Sequence, residues 1–152
     1  MAIDLLDTQL IDLLMQNAYV SSAALAKQLN VSSSTVRRRV KSLLEQGIIR
    51  IIAVPDPSKV GLPVVAFISL EVSHDKINSV LKALSKFPHV AWVGATSGRF
   101  NVRSVWWLNS TEELYRFMES EIGKIDGIMR SETSICLQIE KGMPTRFRGI
   151  VP

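Results

Sequence analysis

The residues with the clearest chemistry are four consecutive hydroxyls, Ser32-Ser33-Ser34-Thr35, followed by Arg37, Arg38, Arg39 and Lys41. Short hydroxyl side chains and the free backbone amides of a helix start reach phosphates and base edges, and guanidinium groups pair with phosphate. This chemistry binds nucleic acid; it makes and breaks no bonds. Within 32–46 only Glu45 opposes the four cations, so most of the chain's net charge of +4 falls on one segment. The sets that catalysis or metal binding would need are missing elsewhere. Cys136 is the single cysteine, so no internal disulfide is expected, and it lies in an apolar run that reads as strand core. His74 and His89 are the two histidines; both flank expected turns, read as surface residues and lack a third ligand at metal spacing. No P-loop, dinucleotide fingerprint or zinc spacing occurs. No catalytic residue, metal or cofactor is expected.

The elements that must position this segment are legible on either side of it. Asp7 reads as the cap of a first helix whose Leu10, Leu13 and Leu14 form an apolar stripe. A break follows at 17–20. Ser21 or Ser22 caps a second helix with Leu25, Ala26 and Leu29 inward, and Asn30-Val31 makes a turn. Ser32 caps a third helix running from Ser33 to about Gln46, with Gly47 just beyond its end. At about 100° per residue, Val36, Val40, Leu43 and Leu44 gather on one face of that helix. Ser34, Arg38, Lys41 and Glu45 lie opposite, and Arg37 and Arg39 flank the apolar face. A merely solvated amphipathic helix shares this pattern. The capped helix before it, the hydroxyl-rich first turn and the nearly all-positive exposed charge favour a helix-turn-helix reading a DNA groove. The expected DNA contacts are Ser32, Ser33, Ser34, Thr35, Arg37, Arg38 and Lys41. After Gly47 a β-branched run, Ile48 to Val54, reads as a strand ended by Pro55-Asp56-Pro57. It is either a wing whose Arg50 touches the DNA backbone or a plain linker strand.

Residues 55–63 are turn-rich and read as a linker between a DNA-binding domain at 1–54 and a second domain at 64–140. In that second domain the elements alternate: a strand over 64–72, a helix over 76–86, strands over 90–95 and 100–108, a helix from Ser110 or Thr111 to about Lys124, and a strand over 128–140. The order β-α-β-β-α-β predicts a ferredoxin-like sheet, and the chain as a whole an α+β protein. Such a sheet carries helices on one face. Here Val65 and Phe67 alternate with Ala66 and Ile68, and Trp107 with Trp106, so both faces are apolar. A second copy packed on the open face explains this, and a linker or tail covering it is the alternative. The tail, 141–152, is basic through Lys141, Arg146 and Arg148, and its expected role stays open between DNA contact, packing on a neighbour and disorder.

Bulk properties agree with this reading. With 152 residues, 47% hydrophobic and 21% charged, the chain suffices for one domain or two small ones. No apolar run approaches the roughly 20 residues of a membrane span, and the N-terminus is no secretory signal. A cytoplasmic protein without membrane contact is expected.

Both halves together resemble the Lrp/AsnC (feast/famine) family of bacterial and archaeal transcription regulators. The likeness rests on Leu6-Asp7, Leu25-Ala26-Lys27-Gln28-Leu29, Val31 to Val36, Arg39-Val40, Leu43, Glu45 to Ile49, Pro55-Asp56-Pro57 and Gly61-Leu62, followed by the strand-helix order of the second domain. It implies a winged helix-turn-helix tethered to a RAM-type ferredoxin-like domain that dimerises, often further into tetramers or octamers. It also implies double-stranded DNA as partner and a small amino-acid-like effector between dimers. The family's Gly-x-x-Asp turn between the second and third strands falls on Ser97-Gly98-Arg99-Phe100-Asn101. The effector residues so implied are Thr96, Gly98, Arg99 and Asn101, with Thr133 and Ser134 lending hydroxyls from the last strand. In the plainer reading Gly98 simply permits a tight hairpin and the two hydroxyls are ordinary strand residues. Asn101 replaces the acid and cannot form a charge-assisted bond to an ammonium group. A weak response to ordinary amino acids is therefore expected, strengthened by Asn101→Asp. Two further readings compete. Siroheme decarboxylases look like this family, but here 91–96 holds no His or Tyr, and only Arg99 and Arg103 would grip substrate carboxylates. An assembly partner that no longer binds DNA is opposed by the intact basic helix.

Overall fold

A computed structural model describes residues 3–140. The expectations for the tail at 141–152 lie outside the described residues. The chain divides into two compact units, Met1–Ala53 and Val54–Pro152.

The first unit holds three helices, α1 (Leu5–Gln16), α2 (Ser22–Leu29) and α3 (Ser33–Glu45). Leu10, Leu25, Ala26 and Val36 are buried together, with Leu6, Leu13, Leu14 and Val40 packed around them. The caps are mostly those the hydroxyls predict. Ser21 Oγ accepts from Ala24 N at 3.2 Å, and Ser32 Oγ accepts from Thr35 N at 3.1 Å. Asn30 ends α2 in the left-handed region at φ +54°, where asparagine is one of the few tolerated side chains. The start of α1 differs from expectation. Asp4 is the cap, and Asp7 sits one turn in, as the reciprocal partner of a capping box. Each carboxylate accepts from the other residue's backbone amide, at 2.9 and 3.3 Å. This adds Leu5 and Leu6 to the helix, and Leu6 to the core.

The run Ile48 to Val54 forms no strand, contrary to expectation. Its residues have β propensity, but a strand also needs backbone partners, and this unit is otherwise helical among the described residues. Ile51, Ile52 and Val54 each remain about half exposed.

The second unit follows the expected order: β1 (Val64–Val72), α4 (Ile77–Leu84), β2 (Val90–Ala95), β3 (Val102–Leu108), α5 (Thr111–Ser120) and β4 (Ile128–Ile135). The strands pair antiparallel in the order β2-β3-β1-β4, the ferredoxin-like arrangement. Ala66, Ile68, Leu70, Val72, Val102, Trp106 and Leu108 form one face and bury against Val80, Leu84 and Leu114 of the helices. Ser104 is the polar exception there. It accepts Trp106 Nε1–H at 2.8 Å and donates to Ile68 O at 3.2 Å, so the hydroxyl and the indole N–H are both satisfied. The other face carries Val65, Ala91, Val105 and Trp107, with Leu62 from the preceding turn against them. Phe67 and Trp92 on that face stay 37% and 48% exposed, so the sheet is apolar on both sides as the alternation predicts.

Boundaries shift in four elements. β3 begins at Val102 rather than Phe100, and α4 and α5 are each flanked by a short 3₁₀ turn, at His74–Lys76 and Ile122–Lys124. β4 stops at Ile135 instead of 140, because β1 has only Val64 and Val65 left to pair, and just one further bond forms, Cys136 N to Val65 O at 2.8 Å. Cys136 therefore lies past the strand and is half-buried, not core. His89 is also no surface residue. Its ring packs 5.0 Å from Phe117, and Nε2 lies 3.6 Å from a Glu113 carboxylate oxygen.

Candidate nucleic-acid interface and effector turn

The N-terminus of α3 is organised by Ser32. Its hydroxyl caps the helix and also lies 2.8 Å from both Ser34 Oγ and Thr35 Oγ1. Ser32 and Ser34 are exposed, while Ser33 and Thr35 are half-buried beside the fully buried Val36. One turn on, Arg37, Arg38 and Lys41 are exposed. Arg37 and Arg38 have no ion-pair partner among the described residues. Lys41 meets Glu45 at 3.7 Å with both side chains largely exposed, and such a pair holds it by only about 0.3–0.5 kcal/mol. The three cations are thus available to phosphate at almost no cost. Arg50 is exposed as well, and rims a shallow groove of about 250 Å³ lined by Ile11, Leu14 and Met15 of α1.

Arg39 behaves differently from its neighbours, and the sequence gives no hint of it. It turns inward from the flank of α3 to Asp4 at 2.8 Å and Asp7 at 3.2 Å, with Asp7 only 4% exposed. The bond between Asp4 and the Asp7 amide, with help from the Arg39 charge, holds the Asp4 carboxyl below its usual range. Arg39 therefore contributes nothing to the exposed positive charge. It ties α3 to the start of α1.

In the second unit the 96–101 turn closes on itself. Thr96 N donates to Asn101 O at 2.9 Å and Thr96 Oγ1 to Phe100 O at 2.8 Å. Gly98 has φ +97°, which excludes most side chains, although a Cβ there would meet nothing within 4 Å. Arg99 reaches Glu71 at 3.2 Å, and Arg130 approaches the same carboxylate at 3.9 Å. Neither Glu71 nor Arg130 was among the expected site residues, though a lone glutamate near the end of the apolar run 64–72 was a visible signal. Thr133 and Ser134 do not act together. Ser134 pairs with Phe67 on the open face, whereas Thr133 pairs with Ile68 on the helix face and lies 3.7 Å from Met118 Sδ.

Asn101 is given another task than facing a ligand. It is 8% exposed; its Oδ1 accepts from Val72 N at 2.8 Å and its Nδ2 donates to Val72 O at 2.7 Å. Because β3 starts one residue later, the peptide groups of Val72 have no strand partner there, and the amide side chain imitates one. A carboxylate has no donor for Val72 O. Asn101→Asp is accordingly expected to lower stability by about 1–3 kcal/mol, measured by thermal unfolding, instead of improving amino-acid sensing. An unchanged melting temperature would contradict this.

A capped helix-turn-helix with a free cationic face, on one chain with a ferredoxin-like sheet, defines a DNA-binding regulator with a separate ligand-binding domain. The chain belongs to the Lrp/AsnC family: residues 3–50 match the winged helix-turn-helix DNA-binding model and residues 65–145 the Lrp/AsnC ligand binding domain. It is 34% identical over 140 residues to an uncharacterized HTH-type transcriptional regulator of Pyrococcus horikoshii, covering 91% of this chain and 89% of that one. It is 31% identical to the regulator LrpA of the same organism, over 90% of this chain and 97% of that one. Among solved structures it is similar to Escherichia coli AsnC at TM-score 0.83 and 30% identity, covering all of both chains. A Neisseria meningitidis transcriptional regulator, solved as its L-methionine complex, shares the fold at TM-score 0.86 and 21% identity, over 95% of this chain and 96% of that one. The protein is a transcriptional regulator with a ligand-binding domain, and these findings lend nothing to the decarboxylase reading.

Proposed function

We propose that α3 carries sequence recognition, with Arg37, Arg38 and Lys41 on phosphates, Ser34 nearest the base edges, and Ser32, Ser33, Thr35 and Arg50 positioning the helix on the backbone. The carrying observation is that the three cations are exposed and essentially unpaired on one helix of an otherwise packed unit. Each phosphate contact releases counterions, so each loss lowers the slope of log affinity against log salt by about one. Arg38→Ala and Lys41→Ala, measured by fluorescence anisotropy across a salt series, are expected to do this and to weaken all DNA sequences alike. Folded variants with unchanged affinity and slope would contradict this orientation of the helix.

The regulator works as a homodimer, assembling in some conditions to a tetramer or octamer. The exposed Phe67 and Trp92 on the open sheet face, and the unpaired β-branched run after α3, support this reading, since both are surfaces a second copy would cover. A small amino-acid-like effector at the 96–101 turn, with Thr96, Gly98, Arg99 and Ser134 nearest to it, alters the dimer's affinity for DNA. The L-methionine in the Neisseria relative supports an effector of that size. The protein acts in the cytoplasm, on the chromosome; among the described residues no helix is long and apolar enough to cross a membrane.

A further inference from the structure

We propose that the 96–101 turn selects a carboxylate without an ammonium group, a 2-oxo acid in place of the matching amino acid. This rests on the reading that the effector binds at that turn. Recognising an ammonium needs an acceptor with free lone pairs, preferably a charged one. The side-chain acceptors Asn101 and Glu71 and two of the turn's carbonyls are already engaged. Asn101 Oδ1 takes the Val72 amide at 2.8 Å and is buried. The Phe100 and Asn101 carbonyls take the Thr96 hydroxyl and amide. Glu71 lies between Arg99 at 3.2 Å and Arg130 at 3.9 Å, so its charge is doubly opposed. Glu132, the next carboxylate on this face, is on β4, the strand that also carries Arg130, and lies across Ser69 of β1 from Arg103.

The cations, in contrast, have capacity to spare. The Arg99 and Arg130 side chains are 60% and 65% exposed and share one carboxylate. Arg103 projects from the same face of β3, in register with Gly94 and Ser69, and has no ion-pair partner among the described residues. Three guanidiniums thus face two carboxylates. Guanidinium presents a fork that fits a carboxylate in bidentate fashion. Gly98, with open space where a side chain would stand, leaves the backbone of the turn open to a ligand. The surplus at this surface is positive charge and donors, and the turn itself holds no free carboxylate, Asn101 standing where an acid would and Glu71 held by two arginines.

The test is calorimetric titration of the full-length protein with matched pairs: pyruvate and alanine, 4-methyl-2-oxopentanoate and leucine, 2-oxoglutarate and glutamate. In at least one pair the oxo acid is expected to bind at least tenfold tighter than the amino acid. Arg99→Ala and Arg103→Ala, each checked for native thermal unfolding, are expected to weaken that binding at least tenfold. Tighter binding of the amino acid throughout overturns this selectivity and leaves the effector reading standing. Oxo-acid binding that survives both substitutions overturns the location. Binding of neither member of any pair overturns this selectivity together with the effector reading on which it rests.

Discussion

Arg39→Met is expected to destabilise the DNA-binding unit by about 2–3 kcal/mol, at or just below the roughly 3–5 kcal/mol that breaking a fully buried ion pair costs. The substitution keeps the bulk of the side chain and removes its charge. Asp7, at 4% exposure, is then left as an uncompensated carboxylate. The partial exposure of Arg39 and Asp4, 18% and 46%, keeps the loss below that of a fully buried cluster. Adding Asp7→Asn to Arg39→Met should recover more than half of the loss, because the stranded charge is gone while the amide can still accept from the Asp4 backbone. Urea unfolding of the single and double variants reads both numbers. The sign with pH follows from Asp4. Its carboxyl is held low in the folded chain, so its contribution is present at neutral pH and lost as pH falls below about 4. A loss under 1 kcal/mol in Arg39→Met would show that the clasp is ornamental. By contrast the exposed Lys41–Glu45 pair should be worth less than about 0.5 kcal/mol.

The second large effect is expected at Trp106, which is fully buried at the centre of the helix-covered face. Its ring lies 5.5 Å from Phe87 and 5.7 Å from Phe117, and its indole N–H is satisfied by Ser104. Trp106→Ala removes the largest fully buried side chain among the described residues, takes away the N–H that Ser104 accepts and opens a large cavity in the core. The expected cost is about 3–5 kcal/mol. Trp92→Ala, on the open face at 48% exposure, should cost about 1 kcal/mol or less in the isolated chain. Tryptophan fluorescence and thermal unfolding of the two variants separate them, and equal costs would mean that the two faces of the sheet have been assigned wrongly.

What the sequence made legible follows the range of the interactions involved. Ser21, Ser32 and Ser110 cap helices three residues away, and the apolar stripes of α2 and α3 repeat every turn, so these elements read directly. The clasp of Arg39 did not, because its partners lie 32 and 35 residues earlier and the helical wheel gives Arg37 and Arg39 the same standing, on the flanks of the apolar face. Ile48 to Val54 reads as a strand because β-branching is local, while pairing is not. Asn101 shows the same limit at the site. Its place in the turn where the family resemblance implies an effector suggested a ligand contact, and only the register of β3 against β1 reveals Val72, 29 residues away, as its partner. The pairing of Thr133 with Ser134 was different in kind. Adjacent residues of a strand point to opposite faces, so the strand prediction itself already separated them.

The most direct test of the account is an in vitro selection from random duplex DNA, run with the full-length protein and with an Arg38→Ala, Lys41→Ala double variant. A homodimer reading through α3 predicts enrichment of a near-palindromic sequence with half-sites about one helical turn, roughly 34 Å, or multiples of that apart. The double variant should bind the selected duplex weakly at physiological salt, with a salt slope lower by about two. An enriched sequence without symmetry would contradict the dimer, and a double variant that binds it as tightly as the native protein would contradict the recognition surface.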